Sequence, residues 1–301
     1  MIKFQGVWPI IPTPLTPEED VDESTLRKII QYVIEGGVHG IWMLGSGGEG
    51  PMLSSEVSRR TLAIAVEEAK GHVPVAAGIS AFSLRQALVN MNMAREAGVD
   101  VVFSTEPKYY KLSADMIVEY FLALADAREL PLVVYHWPNA WPSGSMTAGS
   151  ITNTLGRLAK HPNIVGMKDV TGDPRDFQRL IFALGSEDFT IMTAAGRLLF
   201  ITLALGGHGG AFLESVIAPK LYVDLYESFK GGDLSRTREL QRKLAPLGDV
   251  LNAPFCGGGA SVKQALNFMG LCSLYMSKPL KGMDDEDRGH ISSVMKELKL
   301  I

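Results

Sequence analysis

Short apolar runs rich in β-branched residues alternate along this chain with longer stretches in which apolar residues recur every three or four positions. The short runs are typical of buried parallel strands, and the longer spacing is typical of helices that bury one face. The short runs begin at intervals of about 29 residues, the length of one strand-plus-helix unit. The predicted strands are residues 6–12, 40–44, 73–78, 101–103, 132–135, 164–167, 190–193 and 209–212.

Between these strands, apolar residues occupy the i, i+3, i+4 and i+7 positions of a helix in several segments. Ser83 and Gln86 form a capping box that opens a further helix, and Gly185 and Gly231 stand where two helices should stop. The helical sets are Leu26, Ile29, Ile30 and Val33; Ile117, Tyr120, Phe121 and Leu124; Phe177, Leu180, Ile181 and Leu184; and Tyr222, Leu225, Tyr226 and Phe229.

Eight strand-plus-helix units end near residue 230, which is close to the ~250 residues of an eightfold barrel. Residues 231–301 read as all-helical, and no linker rich in proline, glycine or serine separates them from the rest. We therefore predict an α/β fold, a (β/α)8 TIM barrel over residues 1–230 with a C-terminal helical extension over 231–301 packed on it. A doubly wound parallel sheet has the same alternation, so periodicity alone leaves two architectures.

Composition and charge narrow the class of protein without identifying it. With 29 basic and 33 acidic residues the formal net charge is −4, so the chain lacks the positive field that grips nucleic acid. No run of about 18 apolar residues provides a membrane span, and the N-terminus has no signal segment. The two cysteines, Cys256 and Cys272, form neither a disulfide framework nor a metal signature. We expect a cytoplasmic protein whose scattered histidines bind no metal.

A glycine-rich segment, Gly-Ser-Gly-Gly-Glu-Gly at residues 45–50, follows the second predicted strand. It matches the dinucleotide-binding pattern GxGxxG literally. However, Pro51 interrupts the turn, no acidic residue ends the next strand, and the lysine of a nucleoside triphosphate loop is missing. A plain structural turn is one alternative. We favour a loop whose backbone N–H groups hold a carboxylate or a phosphate.

Two residues at strand ends can carry chemistry, because ligands bind at the carboxyl ends of the strands in both architectures. Tyr135 ends the fifth predicted strand, where its hydroxyl can move a proton or its ring can simply fill a barrel layer. Lys168 directly follows the sixth predicted strand. Burial of its ammonium would be costly, which lowers the pKa of the amine and makes it a nucleophile toward carbonyls. A solvated lysine is the alternative.

Together these segments resemble the dihydrodipicolinate synthase/N-acetylneuraminate lyase family of class I aldolases over nearly the whole chain. The resemblance begins with Gly-Val-Trp-Pro at residues 6–9 and Pro-Thr-Pro-Leu at 12–15, and it continues through the glycine segment. It includes Tyr-His-x-Pro at residues 135–138. Its most specific part is Lys168 in Gly-x-Lys-Asp-x-Thr-Gly, which matches the Schiff-base lysine motif of the family.

The resemblance implies a (β/α)8 barrel with a C-terminal helical extension, usually in a tetramer, that needs no metal or organic cofactor. Lys168 would form an imine with the ketone of pyruvate or another 2-oxo acid. Tyr135 would shuttle a proton with help from the Ser46 hydroxyl, and the N–H groups of Ser46 and Gly47 would hold the substrate carboxylate.

Further residues are expected to contact the substrates. In the synthases of this family a tyrosine after the fourth strand reaches across from a neighbouring subunit; Tyr109 aligns best here, and Tyr110 is the alternative. We also count Ala211, in the last predicted strand, and Arg197, after the seventh, as substrate-binding residues. Arg197 would bind an anionic acceptor, although a surface cation at a helix start is an equally good interpretation.

Departures from the family pattern concern the acceptor and the proton relay. Ala140 stands where the synthases usually carry an arginine that binds the carboxylate of the aldehyde, and a nearby neutral residue does not replace such a clamp. Gly47 replaces a second hydroxyl, so the relay is shorter or uses water. Trp137 and Trp141 either wall the acceptor pocket or pack, and strand alternation points His136 to the side opposite the preceding tyrosine.

We therefore predict a Schiff-base-forming lyase that reversibly cleaves or condenses pyruvate or a related 2-oxo acid with an aldehyde. The alternatives are a 4-hydroxy-tetrahydrodipicolinate (dihydrodipicolinate) synthase and a deoxy sugar acid dehydratase. Two alternatives belong to other functional classes. One is a non-catalytic, small-molecule-binding member of the family, and a more distant one is a nicotinamide-dependent oxidoreductase. We expect a homo-oligomer, a tetramer or a dimer.

Overall fold

Eight parallel strands form a ring in the computed structural model, which describes residues 4–127, 130–137, 148–186, 188–251 and 257–301. The strands are β1 Gly6–Pro9, β2 Ile41–Met43, β3 Val75–Gly78, β4 Val101–Ser104, β5 Leu132–His136, β6 Ile164–Asp169, β7 Thr190–Thr193 and β8 Gly209–Phe212. Each pairs with the next from β2 to β8, and β8 pairs with β1. A bridge between Ile10 and Trp42 brings β1 beside β2. The (β/α)8 barrel is confirmed, and the doubly wound sheet is excluded.

Helices connect the strands and cover the outside of the ring, and the four predicted helical sets lie in α1, α4, α6 and α8. The helices are α1 Glu23–Glu35, α2 Ser55–Ala69, α3 Leu84–Ala97, α4 Ala114–Asp126, α5 Ala148–Leu158, α6 Pro174–Leu184, α7 Leu199–Ala204 and α8 Pro219–Lys230. Side-chain caps fix where several of them begin, because an oxygen there accepts a bond from a backbone N–H of the first turn. These caps are Asp22, Ser54, Ser83, Ser113 and Asp173.

Two strand boundaries differ from the prediction for reasons that bear on the site. β1 ends at Pro9 instead of residue 12, because the ladder with β8 stops there, Ile10 bridges to Trp42 of β2, and Ile11 donates its N–H to the Trp42 carbonyl at 3.0 Å. β6 continues past residue 167 to Asp169. Lys168 and Asp169 remain in the ladder because they pair in register with Tyr135 and His136 of β5.

The core has two layers, one inside the ring and one between the ring and the helices. Alternate strand residues face the two layers, so that Val133 and Tyr135 lie inside the ring whereas Val134 faces the helices. The interior is rich in aromatic rings, with Trp42 stacked on Phe103 at 3.6 Å between ring centroids. The ring is therefore filled with side chains up to the carboxyl ends of its strands.

In the part of the chain that the structure describes, three α-helices follow the barrel: α9 Leu234–Leu251, α10 Gly257–Phe268 and α11 Asp285–Glu297. α9 packs along α8, and α10 lies against the turn that holds Gly47. The approach is close, since a Cβ added to Gly259 would be 3.1 Å from the Gly47 carbonyl oxygen. Cys272 is buried in this region, and Cys256 lies outside the described residues. None of the helices in the described ranges is long and apolar enough to cross a membrane.

Candidate active site

The carboxyl ends of β5 and β6 bring the two strongest candidate residues together. Tyr135 and Lys168 are register partners on these adjacent strands, and both side chains point into the ring. The Lys168 Nζ lies 4.2 Å from the centroid of the Tyr135 ring and 4.9 Å from that of Trp42. The lysine side chain is 1% exposed. A primary amine is thus held between two aromatic faces.

Burial decides the charge of this amine. Removal from water disfavours the ammonium form and lowers the pKa of Lys168 to about 7, against a partial opposing effect of the Glu214 carboxylate. The neighbouring rings attract a cation weakly and replace only part of its lost hydration. Near neutral pH a large share of Lys168 is therefore a free amine, the form that attacks carbonyl carbons.

Tyr135 has a buried phenol that is joined to Ser46. Burial raises the pKa of its phenol to about 12, although a hydrogen bond with Ser46 works in the other direction. The two hydroxyl oxygens are 3.4 Å apart, and Ser46 itself is exposed at the mouth of the ring. The phenol keeps its proton at neutral pH and is connected through Ser46 to the open end of the barrel.

The glycine segment forms a tight turn directly after β2. Residues Ser46–Gly48 make one turn of 3₁₀ helix that begins with the N–H groups of Ser46 and Gly47, and the first N–H groups of such a turn have no partner inside it. A Cβ on Gly47 would lie 2.3 Å from the Leu213 side chain. A side chain at this position would require the Leu213 side chain to move, and this chain has glycine where the family pattern has a hydroxyl.

Glu49 anchors this turn to the C-terminal extension. Its backbone is left-handed, with a φ of 59°, and its carboxylate is buried. One oxygen pairs with the Lys263 Nζ at 2.5 Å, and the other accepts the Ser277 N–H at 2.6 Å. Lys263 also donates to the Tyr275 carbonyl at 2.6 Å. Such a buried pair holds its geometry because breaking it leaves an uncompensated charge.

A second pair of buried polar groups lies behind the catalytic candidates. His136 and Asp169 follow Tyr135 and Lys168 in their strands and face the helix layer, as alternation predicts for His136. The His136 Nδ1 and the Asp169 Oδ1 are 2.7 Å apart, and both side chains are 1% exposed.

Ala211 belongs to the same interior cluster as Tyr135, and Trp137 packs against that cluster. Ala211 is fully buried in the interior layer of the ring, opposite Trp8 in register. The Trp137 indole stacks on the Tyr135 ring with centroids 5.9 Å apart and an interplanar angle of 11°. Trp137 thus packs on the tyrosine ring, and a role as a wall of the acceptor pocket stays a prediction. Ala140 and Trp141 lie outside the described residues.

Tyr109 and Arg197 lie at the rim and not in the interior. Tyr109 is 64% exposed, after β4, and its ring contacts those of Phe82 and Tyr110. Arg197 is also exposed, in the 3₁₀ helix Gly196–Leu198 after β7. Its guanidinium lies 3.8 Å from the Cβ position of Gly172 in the loop after β6.

Glu214 is a candidate that the sequence patterns missed. It lies in the 3₁₀ helix Leu213–Val216 after β8 and is 2% exposed. Burial raises the pKa of its carboxyl, while the Gly196 N–H donates to its Oε1 at 3.3 Å. Its position directly after a barrel strand is the signal that could have found it. Within the described ranges no three His, Cys, Asp or Glu side chains are grouped to hold a metal ion.

The fold and the site together define a class, the barrel enzymes with a buried lysine at the carboxyl ends of their strands. The model of the Dihydrodipicolinate synthetase family matches residues 3–298. The chain belongs to this family and is a lyase.

Similarity to individual proteins extends over the full chain. A 4-hydroxy-tetrahydrodipicolinate synthase of Methanopyrus kandleri is 32% identical over 302 residues, which cover 99% of this chain and 98% of that protein. Dihydrodipicolinate synthase from Thermotoga maritima has a crystal structure with a TM-score of 0.93 and 27% identity, covering 99% of this chain and 100% of that one. YagE, a prophage protein of the family from E. coli K12, was solved in complex with pyruvate. Its structure matches with a TM-score of 0.90 and 26% sequence identity, covering 99% of each chain.

Proposed function

We propose that this protein is a Schiff-base lyase that reversibly cleaves or condenses pyruvate or a related 2-oxo acid with an aldehyde. One observation carries the proposal. A buried lysine whose pKa is lowered to about 7 lies against a tyrosine that keeps its proton. A non-catalytic binding protein has no use for a buried amine of this kind, which costs stability. The pyruvate complex of YagE, 26% identical over 99% of this chain, supports the choice of substrate.

The two side chains suffice for the proton transfers of imine formation. The neutral Lys168 amine attacks C2 of the 2-oxo acid and gives a carbinolamine. Tyr135 delivers its proton to the hydroxyl group, which leaves as water, so that a protonated imine forms. The phenolate, stabilised by the Ser46 hydroxyl, then takes a proton from C3. The electron pair of that bond passes into the imine and produces the enamine that attacks an aldehyde carbon; cleavage is the reverse.

Substrate anchoring completes the proposal. The N–H groups of Ser46 and Gly47 hold the carboxylate of the 2-oxo acid, as first donors of a 3₁₀ turn can. Ala211 contributes a small, apolar surface in the ring interior, and Arg197 binds an anionic acceptor at the rim. No cofactor is needed, because the protonated imine is itself the electron sink.

Borohydride reduction tests the central step. Incubation with pyruvate and borohydride should reduce the imine to a stable secondary amine, which peptide mass spectrometry locates at Lys168. Lys168→Ala should lose the adduct while it keeps the circular dichroism of the folded chain. Lys220→Ala is the matched control, since that lysine is 74% exposed and is expected to leave the adduct unchanged. A wild-type protein without any adduct, or with the adduct elsewhere, would contradict the proposal.

The acceptor is tested separately with a panel of aldehydes and deoxy sugar acids. We expect aldol cleavage or condensation with another aldehyde to exceed turnover of aspartate semialdehyde, since Ala140 stands where the synthases usually carry the arginine that binds its carboxylate. Preference for aspartate semialdehyde would show the synthase activity instead. Water loss from a deoxy sugar acid would show a dehydratase.

Assembly is a further part of the proposal. Tyr109 lies with Phe82 and Tyr110 in an exposed aromatic cluster, and Phe82 is 76% exposed. We propose that this cluster joins two copies of the chain, so that Tyr109 reaches into the partner's site in a homodimer or homotetramer of a cytoplasmic enzyme. Sedimentation should show the oligomer, and Tyr109→Ala should lower turnover. A monomeric wild type with full activity would refute this part alone. We also propose that the chain has two parts, the (β/α)8 barrel over residues 1–230 and the C-terminal helical extension over residues 231–301.

A further inference from the structure

His136 and Asp169 stand one residue beyond the proposed catalytic pair, on the other face of the same two strands. Tyr135 is opposite Lys168 in register, and His136 is opposite Asp169. The Nδ1 of His136 and the Oδ1 of Asp169 are 2.7 Å apart, with both side chains 1% exposed. The bond therefore joins β5 to β6 at the position where Tyr135 and Lys168 must meet.

Asp169 makes further hydrogen bonds beside the one to His136, whereas the Nε2 of His136 makes none to the described residues. The second oxygen of Asp169 accepts bonds from the hydroxyl and, at 3.3 Å, from the N–H of Thr171 in the loop after β6. The Nε2 of His136, by contrast, is buried and has no hydrogen-bond partner among the described residues. Asp169 is thus held by its own loop, and the orientation of the imidazole depends on Asp169.

We propose that His136 and Asp169 are positioning residues, whose hydrogen bond holds the carboxyl ends of β5 and β6 in the register that sets the Tyr135 hydroxyl against the imine on Lys168. This inference rests on the proposed function. Neither residue touches the reacting atoms, because both face the helix layer while the reaction takes place inside the ring. In the low-dielectric layer between ring and helices this hydrogen bond is stronger than the same bond in water, and it adds to the backbone ladder that joins the two strands.

The two catalytic groups depend on this register to different degrees. The extent of imine formation depends on the lysine and on access of the substrate to it, since Tyr135 speeds the loss of water from the carbinolamine without moving its equilibrium. Proton removal at C3 needs the Tyr135 oxygen within hydrogen-bond reach of that carbon, and a misplacement of about 1 Å costs about 100-fold in rate. Loss of the bond should therefore slow proton transfer at C3 and leave the equilibrium extent of imine formation unchanged. A role in stability alone would lower both together.

Two measurements on the full chain separate these roles. Borohydride trapping with pyruvate reports the imine, and deuterium uptake at C3 of pyruvate in D2O reports proton transfer. We expect His136→Leu to leave the trapped fraction unchanged and to slow deuterium uptake about 100-fold. His136→Asn restores a donor near the position of Nδ1 and should recover most of the lost exchange rate. If His136→Leu does not fold, His136→Gln takes its place. The amide of glutamine lies one bond further from the backbone than Nδ1 of histidine, so the bond to Asp169 is displaced while the side chain stays polar.

The matched control is a histidine–carboxylate pair at the opposite end of the same strand. The Nε2 of His161, just before β6, lies 3.2 Å from Asp126. His161→Leu should leave both measurements unchanged. Equal losses of trapping and exchange in His136→Leu, or an exchange rate like that of the wild type, would overturn the inference. A wild type that forms no adduct with pyruvate would instead count against the proposed function, so the two failures are distinguishable.

Discussion

Lys168 should destabilise the fold that it serves, and its replacement by methionine should make the chain more stable while abolishing turnover. Burial lowers the pKa of Lys168 from 10.5 to about 7. The unfolded chain binds a proton at this position up to pH 10.5, whereas the folded chain gives it up above pH 7. Since the unfolded state binds more protons in this range, the free energy of unfolding should rise with pH between these values.

The size of the effect follows from the same shift. The pKa falls by about 3.5, from 10.5 to about 7. At 1.36 kcal/mol per pKa unit, this lowers the free energy of unfolding by about 5 kcal/mol when the lysine is charged in both states. This cost is fully present below pH 7, declines as the pH rises and is gone above pH 10.5. Methionine has a similar length and no charge. Lys168→Met should therefore stabilise the folded chain by several kcal/mol below pH 7 and lose this advantage toward pH 10.5.

Urea unfolding of the two proteins across this pH range measures the difference directly. Lys220→Met serves as the control, since the Lys220 side chain is 74% exposed and a surface substitution should change stability by about 0.5 kcal/mol or less. A Lys168→Met protein that is less stable than the wild type would contradict this prediction. So would a difference in the free energy of unfolding that is the same at both ends of the pH range.

Three further substitutions examine other parts of the site. Tyr135→Phe removes the proton carrier and should lower kcat by about 10²–10⁴-fold while borohydride trapping of the imine persists; a small change in steady-state kcat would argue against the role. Lys263→Met should cost about 3–5 kcal/mol in urea unfolding by stranding the Glu49 carboxylate, and Glu49→Gln in the same chain should recover much of it; no recovery would mean that the charge is not the cause. Gly47→Ala places a methyl 2.3 Å from Leu213 and should raise KM for pyruvate, which Leu213→Ala should reverse; an unchanged KM would contradict the carboxylate loop.

The repeat of strands and helices could be predicted from the sequence because its signals are local. Apolar runs, helical spacing and caps are each contained within one element, and those at Ser83 and around Leu26 lie where expected. Lys168 stood out for the same reason, since a charged residue at the end of an apolar run is visible without knowledge of the fold. The choice between barrel and open sheet needed the pairing of β1 with β8, which no local pattern specifies.

The partners of the buried charges could not be predicted, because they come from distant parts of the chain. Lys263 meets Glu49 only when α10 packs on the glycine turn. The pairing of His136 with Asp169 depends on the register of β5 against β6, and a shift by one residue would separate them. Glu214 was missed because its burial results from packing around the end of β8 and not from the residues beside it in sequence.

The link between Glu49 and the extension has a consequence for the order in which the protein matures. The barrel strands are complete once residue 212 has been synthesised, yet the bond from Ser277 to Glu49 spans 228 residues of sequence. A nascent chain can therefore close its ring and bury Lys168 before the glycine turn has either of its long-range partners. On the ribosome the glycine turn would then gain its long-range anchors only after the ring has closed, so its final geometry is fixed late in folding.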